Sequence, residues 1–153
     1  MKIIKGDLIK LALEGKFDVI VHGCNCYKNM GKGIAKTIKQ VFPEAIIADR
    51  NSSLDTFERL GNYSLGRHRG PNGEIFIVNA YTQFNYNRYG NKKQQVDYEA
   101  VEKVFKKIKK RFHGFRIGYP KLGAGLGGGD WKIISEIIDR ELDGEDHTLV
   151  ILP

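Results

Sequence analysis

The chain has 153 residues, 41% hydrophobic and 28% charged, with 25 Lys and Arg against 18 Asp and Glu for a net charge of +7. This length suits one domain, residues 1–153, and the composition excludes wholesale disorder. No apolar run approaches the roughly 20 residues of a membrane span. The first residues lack a signal-peptide core, and two cysteines cannot build a disulfide framework, so the expected setting is a reducing cytoplasm with no membrane partner.

In chain order, Lys2–Lys5 is short and β-like. Asp7 can N-cap a helix whose apolar residues are Leu8, Ile9, Leu11, Ala12 and Leu13, with Gly15 ending it. Val19-Ile20-Val21 reads as a buried strand running into His22-Gly23-Cys24-Asn25. A glycine-bearing loop leads to a helix with Ile34, Ala35, Ile38, Val41 and Phe42 on its apolar side. Pro43 stops that helix and can open another through Asp49. Residues 51–62 read as loop. Residues 63–68 and 74–80 are expected to pair around the turn Gly70-Pro71-Asn72-Gly73. Residues 81–96 are polar and aromatic and are expected to be mobile in part. Asp97 can cap a helix with Val101, Val104, Phe105, Ile108 and Phe112 on one face. Residues 115–119 form a strand ending at Pro120. Asp130 opens a helix striped by Ile133, Ile134, Ile137, Ile138 and Leu142, and residues 148–152 form a last strand. Strands alternating with helices predict a layered α/β domain with a largely parallel sheet, whose ligand crevice lies at the carboxyl ends of the strands.

Glycine is the compositional outlier, 18 of 153 residues, about 12% against a usual 7% or so. Two strand-to-helix loops concentrate it. The first is His22-Gly23-Cys24-Asn25-Cys26-Tyr27-Lys28-Asn29-Met30-Gly31-Lys32-Gly33-Ile34-Ala35. The second is Pro120-Lys121-Leu122-Gly123-Ala124-Gly125-Leu126-Gly127-Gly128-Gly129-Asp130-Trp131. Glycine allows close backbone approach, and a helix start offers unpaired N–H groups, so two facing loops could grip a pyrophosphate. Neither loop is a Walker A motif.

Gly6-Asp7-Leu8 after the first strand, a strand ending in Asn25, Gly31-Lys32-Gly33-Ile34-Ala35, and Gly123-Ala124-Gly125-Leu126 ahead of Trp131 together resemble a macrodomain. The order of these motifs fits the whole chain. The stretch from His22 to Cys26 with Gly31 to Ala35 is most similar to the branch that removes phosphate from ADP-ribose 1″-phosphate. It is more loosely similar to the branch that removes terminal ADP-ribose from protein carboxylates. The resemblance implies a three-layer α/β/α domain around a mixed, largely parallel sheet, with ADP-ribose in a crest cleft and no cofactor. It implies Asp7, beside Leu8, at the adenine, and Asn25 at the distal ribose. It implies Gly31, Lys32, Gly33 and Ile34 as the first phosphate-side loop, and Leu122, Gly123, Ala124, Gly125, Leu126 and Gly127 as the second. The second branch uses a lysine where this chain has Gln83 and an aspartate where it has Gly127.

Each candidate also has a plainer role. Asp7 and Asp130 can be simple N-caps, with Asp130 otherwise a carboxylate near the distal ribose. Asn25 can satisfy local backbone. His22 can be a packed core histidine, or a general acid or base beside a bound phosphate. Cys24 and Cys26 would point to the same side as His22, but no second ligand pair stands at zinc spacing, so no metal is expected. Asn79 and Gln83 can bind phosphate or ribose, and Tyr81-Thr82-Gln83 is expected to reach the crevice. Tyr81, Phe84, Tyr86 and Tyr89 with Arg88, Lys92 and Lys93, and a helix bearing Lys103, Lys106, Lys107, Lys109, Lys110 and Arg111, can bind nucleic acid. The expected function is a monomeric ADP-ribose 1″-phosphate phosphatase, with His22, Asn25 and Asp130 as catalytic residues. The alternatives are a hydrolase removing ADP-ribose from proteins or nucleic acid, and a non-enzymatic ADP-ribose reader.

Overall fold

The structure, a computed structural model, describes residues 1–31, 33–85, 94–125 and 127–153. Its elements run β1 (Lys2–Lys5), α1 (Leu8–Leu13), β2 (Val19–Asn25), α2 (Gly33–Val41), α3 (Pro43–Arg50), α4 (Thr56–Arg59), β3 (Tyr63–Gly70), β4 (Gly73–Gln83), α5 (Tyr98–Arg111), β5 (Arg116–Tyr119), α6 (Trp131–Glu141) and β6 (Asp146–Ile151). The predicted starts are sound because the caps are local. Asp7, Asp97 and Asp130 each accept backbone N–H bonds from the first turn of the helix they precede. Pro43 opens α3 at a position where a missing N–H costs nothing.

Three expectations shift. Residues 51–62 are not all loop, because Asp55 caps the four-residue α4 by accepting from Glu58 N. β4 runs on to Gln83, since its continuation pairs with the end of β2. β5 begins at Arg116 and β6 at Asp146. Tyr86, Arg88, Tyr89, Lys92 and Lys93, and the mobility expected of their segment, lie outside the described residues.

The six strands form one sheet in the order β1-β6-β5-β2-β4-β3. All pairs are parallel except the β3–β4 hairpin. Alternate side chains then go to opposite faces. Ile20, Ile75, Ile77 and Val150 pack with Leu8, Ile9 and Ala12 of α1, Ile38 of α2 and Ala45 of α3. Val19, Val21, Val78, Ala80 and Ile117 pack with Val101, Val104, Phe105 and Ile108 of α5 and Ile134 and Ile138 of α6. The result is three layers, with helices α1–α3 on one side and α5 and α6 on the other. Among the described residues, no helix is long and apolar enough to cross a membrane.

The chain leaves β2 towards β4 on one side, and leaves β5 towards β6 on the other. The carboxyl ends of adjacent β2 and β5 therefore form a switch point in a mostly parallel sheet, where crevices open. Both glycine-rich loops start there. At the end of β2 the register with β4 steps from Cys24↔Tyr81 to Asn25↔Gln83. Such an irregularity re-aims the chain as it leaves the sheet.

Candidate functional site

The first loop is shaped by its own polar side chains. Asn25 Oδ1 accepts from Tyr27 N at 3.0 Å and Asn29 N at 3.4 Å, while Asn25 Nδ2 donates to Asn29 O at 2.8 Å. Asn29 Oδ1 then accepts from Gly31 N at 3.0 Å. Asn25 is thus the organiser of the turn that precedes α2. Lys28 sits within that turn at φ 58°, a left-handed conformation few non-glycine residues adopt. The first N–H groups of α2, beginning at Gly33 and Ile34, have no acceptor within the helix, and a helix start of this kind can receive an anion. Lys32, assigned to this loop from sequence, lies outside the described residues.

The second loop holds itself closed. Gly129 N donates to Gly123 O at 2.8 Å and Gly128 N to Gly125 O at 3.0 Å. Gly127 O accepts from both Gln95 N at 2.7 Å and Val96 N at 3.0 Å, which ties the loop to the approach of α5. The glycines here do different jobs. A Cβ on Gly127 would lie 2.7 Å from Gly123 O, and one on Gly129 2.5 Å from Val96 Cγ1, so both are packing glycines. A Cβ on Gly125 would meet nothing within 4 Å. Gly125 is exposed, and nothing among the described residues requires a glycine there. The N–H groups of Gly123 and Gly125 donate to no backbone carbonyl among the described residues. Gln83 Oε1 would be 3.0 Å from a Cβ on Gly127, so the end of β4 abuts this loop. Leu122 is buried and Ala124 half-buried, both packed on the α5–α6 side of the core. Leu126 lies outside the described residues.

Asp7 is exposed at the end of β1. Its Oδ1 caps α1 by accepting from Ile9 N at 3.0 Å and Lys10 N at 3.1 Å, and buried Leu8 anchors the turn behind it. Asp130 is also exposed, with Oδ1 accepting from Lys132 N at 2.9 Å and its own N–H donating to Tyr98 Oη. In both residues the cap occupies one carboxylate oxygen and leaves the other for a ligand.

Against the expectation of groups lying open at a ligand, His22 and Asn79 are enclosed: neither has any exposed surface. They are register partners on β2 and β4 and face α3. His22 Nε2 and Asn79 Oδ1 are 2.6 Å apart. Asn79 Nδ2 donates to Ala45 O at 2.8 Å and Ser64 Oγ at 3.0 Å. Ser64 meets Tyr81 Oη at 2.8 Å, and Tyr81 Oη donates to Asp49 Oδ1 at 2.6 Å. One directed chain of hydrogen bonds therefore pins α3 to three strands. Burial pushes the His22 pKa down to about 4 against the partial support of Asn79, so the ring is neutral at pH 7. Tyr81 and Thr82 are also buried, while Gln83 is partly exposed and abuts the second loop. Cys24 and Cys26 do share the side of His22, with Cys24 Sγ 3.6 Å from its Nε2. Burial raises both thiols, Cys26 to about 11, so neither is a thiolate nucleophile at neutral pH.

The lysines of α5 are largely spent. Lys103 pairs with Glu99, Lys106 with Glu102 and Glu141, Lys109 with Glu145, and Lys107 donates to Asn62. Three of its lysines are therefore neutralised by carboxylates of α5 itself and of the segment around α6. A different cationic feature escaped the sequence reading. Tyr27, Lys28, Lys39 and Arg50 line a cleft of about 410 Å³ on the flank of the first loop, reaching Met30 and Gly31. Its residues come from the loop, α2 and the end of α3, and no short motif announces them. The one local sign is the Tyr-Lys-Asn turn.

No family model matches the chain. The chain is 33% identical over 146 residues to an uncharacterised 17.5 kDa protein of Enterobacteria phage T4, covering 91% of this chain and 88% of that protein. It is 27% identical over 150 residues to the DNA ADP-ribosyl glycohydrolase of Thermus aquaticus, covering 94% of this chain but spanning 38% of that protein's length. The solved macrodomain of Thermus aquaticus DarG superposes with a TM-score of 0.72 at 25% identity, over 99% of this chain and 97% of that one. The sheet order, the glycine loops at its crest and these likenesses define a macrodomain. The chain belongs to the macrodomain family, and the phage T4 protein is a relative similar along nearly its whole length.

Proposed function

We propose that this macrodomain binds ADP-ribose across the sheet crest and hydrolyses the bond that joins it to nucleic acid. The observation that carries this reading is the likeness of almost the whole chain to a DNA ADP-ribosyl glycohydrolase. The geometry supports it. The spare Asp7 oxygen can accept from the adenine amino group. The first-turn N–H groups of α2 and those of Gly123 and Gly125 can hold the pyrophosphate and stabilise charge that develops near it. The loop organised by Asn25, together with Gln83, then lies at the distal ribose, with Asp130 as the carboxylate that activates water. By the resemblance, Gln83 and Gly127 take the places of a lysine and an aspartate of one macrodomain branch, so this reading uses water rather than a lysine as the nucleophile. The phosphatase reading loses the acid–base group assigned to it, since His22 is enclosed.

The test is a single-stranded oligonucleotide carrying ADP-ribose on a base, followed by gel mobility, beside phosphate release from ADP-ribose 1″-phosphate and calorimetry with ADP-ribose. Loss of the adduct is the expected result. Phosphate release alone would restore the phosphatase, and binding without turnover would make the chain a reader. No heat with ADP-ribose would overturn the proposal.

A further inference from the structure

Resting on that reading, we propose that the outer flank of the first glycine loop is a landing surface for single-stranded nucleic acid. The surface has an aromatic half and a cationic half, and Tyr27 belongs to both. On the aromatic side Phe57 of α4 stacks on Phe84, with centroids 4.9 Å apart and 29° between planes, and Tyr27 meets Phe84 edge-on at 5.3 Å. Phe57 is 79% exposed and Tyr27 49%. A fold gains little by holding such rings in water, and contiguous exposed aromatic surface marks a binding site.

The cationic side is the cleft lined by Tyr27, Lys28, Lys39 and Arg50. Lys28 Nζ donates to Arg50 O at 2.8 Å, which fixes the loop to the end of α3. Unlike Lys103, Lys106 and Lys109 of α5, Lys39 and Arg50 form no ion pair among the described residues. The carboxylates around them are accounted for. Asp49 is buried and bonded to Tyr81, and feels the charges of Arg59, Lys28 and Arg50 from inside the fold rather than from the cleft surface. Asp55 caps α4, and Glu58 lies on that helix beside Phe57. Anionic groups are thus welcomed at Lys39 and Arg50 and discouraged at α4. A polymer with phosphates along one edge and uncharged aromatic faces along the other fits that division. Stacking on Phe57 needs an open base face, which a duplex does not present, so the partner is a single strand. The cleft shares Met30 and Gly31 with the loop that leads to α2, so a strand lying there continues directly to the ADP-ribose cleft.

The experiment is fluorescence anisotropy with a labelled thymidine 12-mer, titrated with the intact chain at several salt concentrations, beside calorimetry with ADP-ribose. Three phosphate contacts give a log–log salt slope of about −2 for single strands. Phe57→Ala should weaken binding at least about fivefold. The double change Lys39→Ser, Arg50→Ser should weaken it further and flatten the slope by about 1.4. Lys110→Ser on α5 should change neither, and all variants should keep the wild-type affinity for ADP-ribose. A wild-type chain that binds ADP-ribose but not the 12-mer overturns this proposal alone. So does equal competition by a duplex, or a salt slope indifferent to Lys39 and Arg50. A chain that binds neither overturns the functional reading with it. Phe57 and Arg50 are exposed, so an unchanged melting temperature is expected of these variants and confirms that each loss is one of contact.

Discussion

At His22 burial and hydrogen bonding act in opposite directions, and burial wins. The ring's pKa falls from an unfolded value of 6.5 to about 4 in the fold. Between those values the unfolded chain holds a proton that the folded chain does not. Stability is therefore complete above pH 6.5 and declines as pH drops through that window, by about 3 kcal/mol at most. His147, also lowered chiefly by burial, pulls in the same sense. Urea unfolding near neutral pH and near pH 5 should show the decline, and His22→Gln should reduce it. The same burial predicts that turnover carries no ionisation belonging to His22. Its alanine variant should lose stability while the folded fraction keeps ADP-ribose affinity. Asp7 is the contrasting residue. Asp7→Ala should cost about 1 kcal/mol of stability through the lost cap, and should weaken ADP-ribose binding by another 1–2 kcal/mol, read by calorimetry. The role of Asp7 as a cap was legible in the sequence because its bonds reach only two and three residues ahead. The enclosure of His22 was not, because it needs Asn79, 57 residues away, and the cover of α3.

Among the elements, the two glycine loops were legible as strand-to-helix junctions, but not the separate duties of their glycines. Those duties depend on neighbours from elsewhere in the chain, Val96 above all. Gly125→Val should leave thermal stability unchanged, since a side chain there meets open space, and should abolish ADP-ribose binding if the ligand approaches that backbone. Gly129→Ala should do the reverse. Its Cβ collides with Val96 and with Gly123 O, an overpacking worth about 1–3 kcal/mol. Differential scanning calorimetry with and without ADP-ribose separates the two. α4 was missed for a related reason. Four residues carry no periodicity, and only the Asp55 cap and the contact of Phe57 with Phe84 betray a helix there.

Across the whole molecule, the alternation of strands and helices sufficed to predict a layered, largely parallel sheet, because each apolar segment had the period of its element. The strand order was not readable that way. It follows from which faces find each other once α1–α3 and α5–α6 take opposite sides. The basic balance was equally ambiguous until the fold showed Lys103, Lys106 and Lys109 of α5 pairing with acidic neighbours, while Lys39 and Arg50 do not. A chain stopped after residue 145 would lose β6, which lies between β1 and β5. Circular dichroism of that fragment should show no cooperative melting, since two strands on one side of the sheet would lose their common neighbour.

The place of β6 also constrains how the protein is made. A ribosome delivers β1 first and β6 last, yet Ile3 pairs with Leu149 and Ile117 with His147. Until residues 146–151 have left the exit tunnel, β1 has no strand to join and β5 has one bare margin. The sheet thus closes by inserting its final strand into a waiting slot, a non-local step that is slow compared with local hairpin formation. During that interval the open slot is a template for other extended chains. Nascent protein should depend on chaperones, and aggregate, far more than the finished molecule.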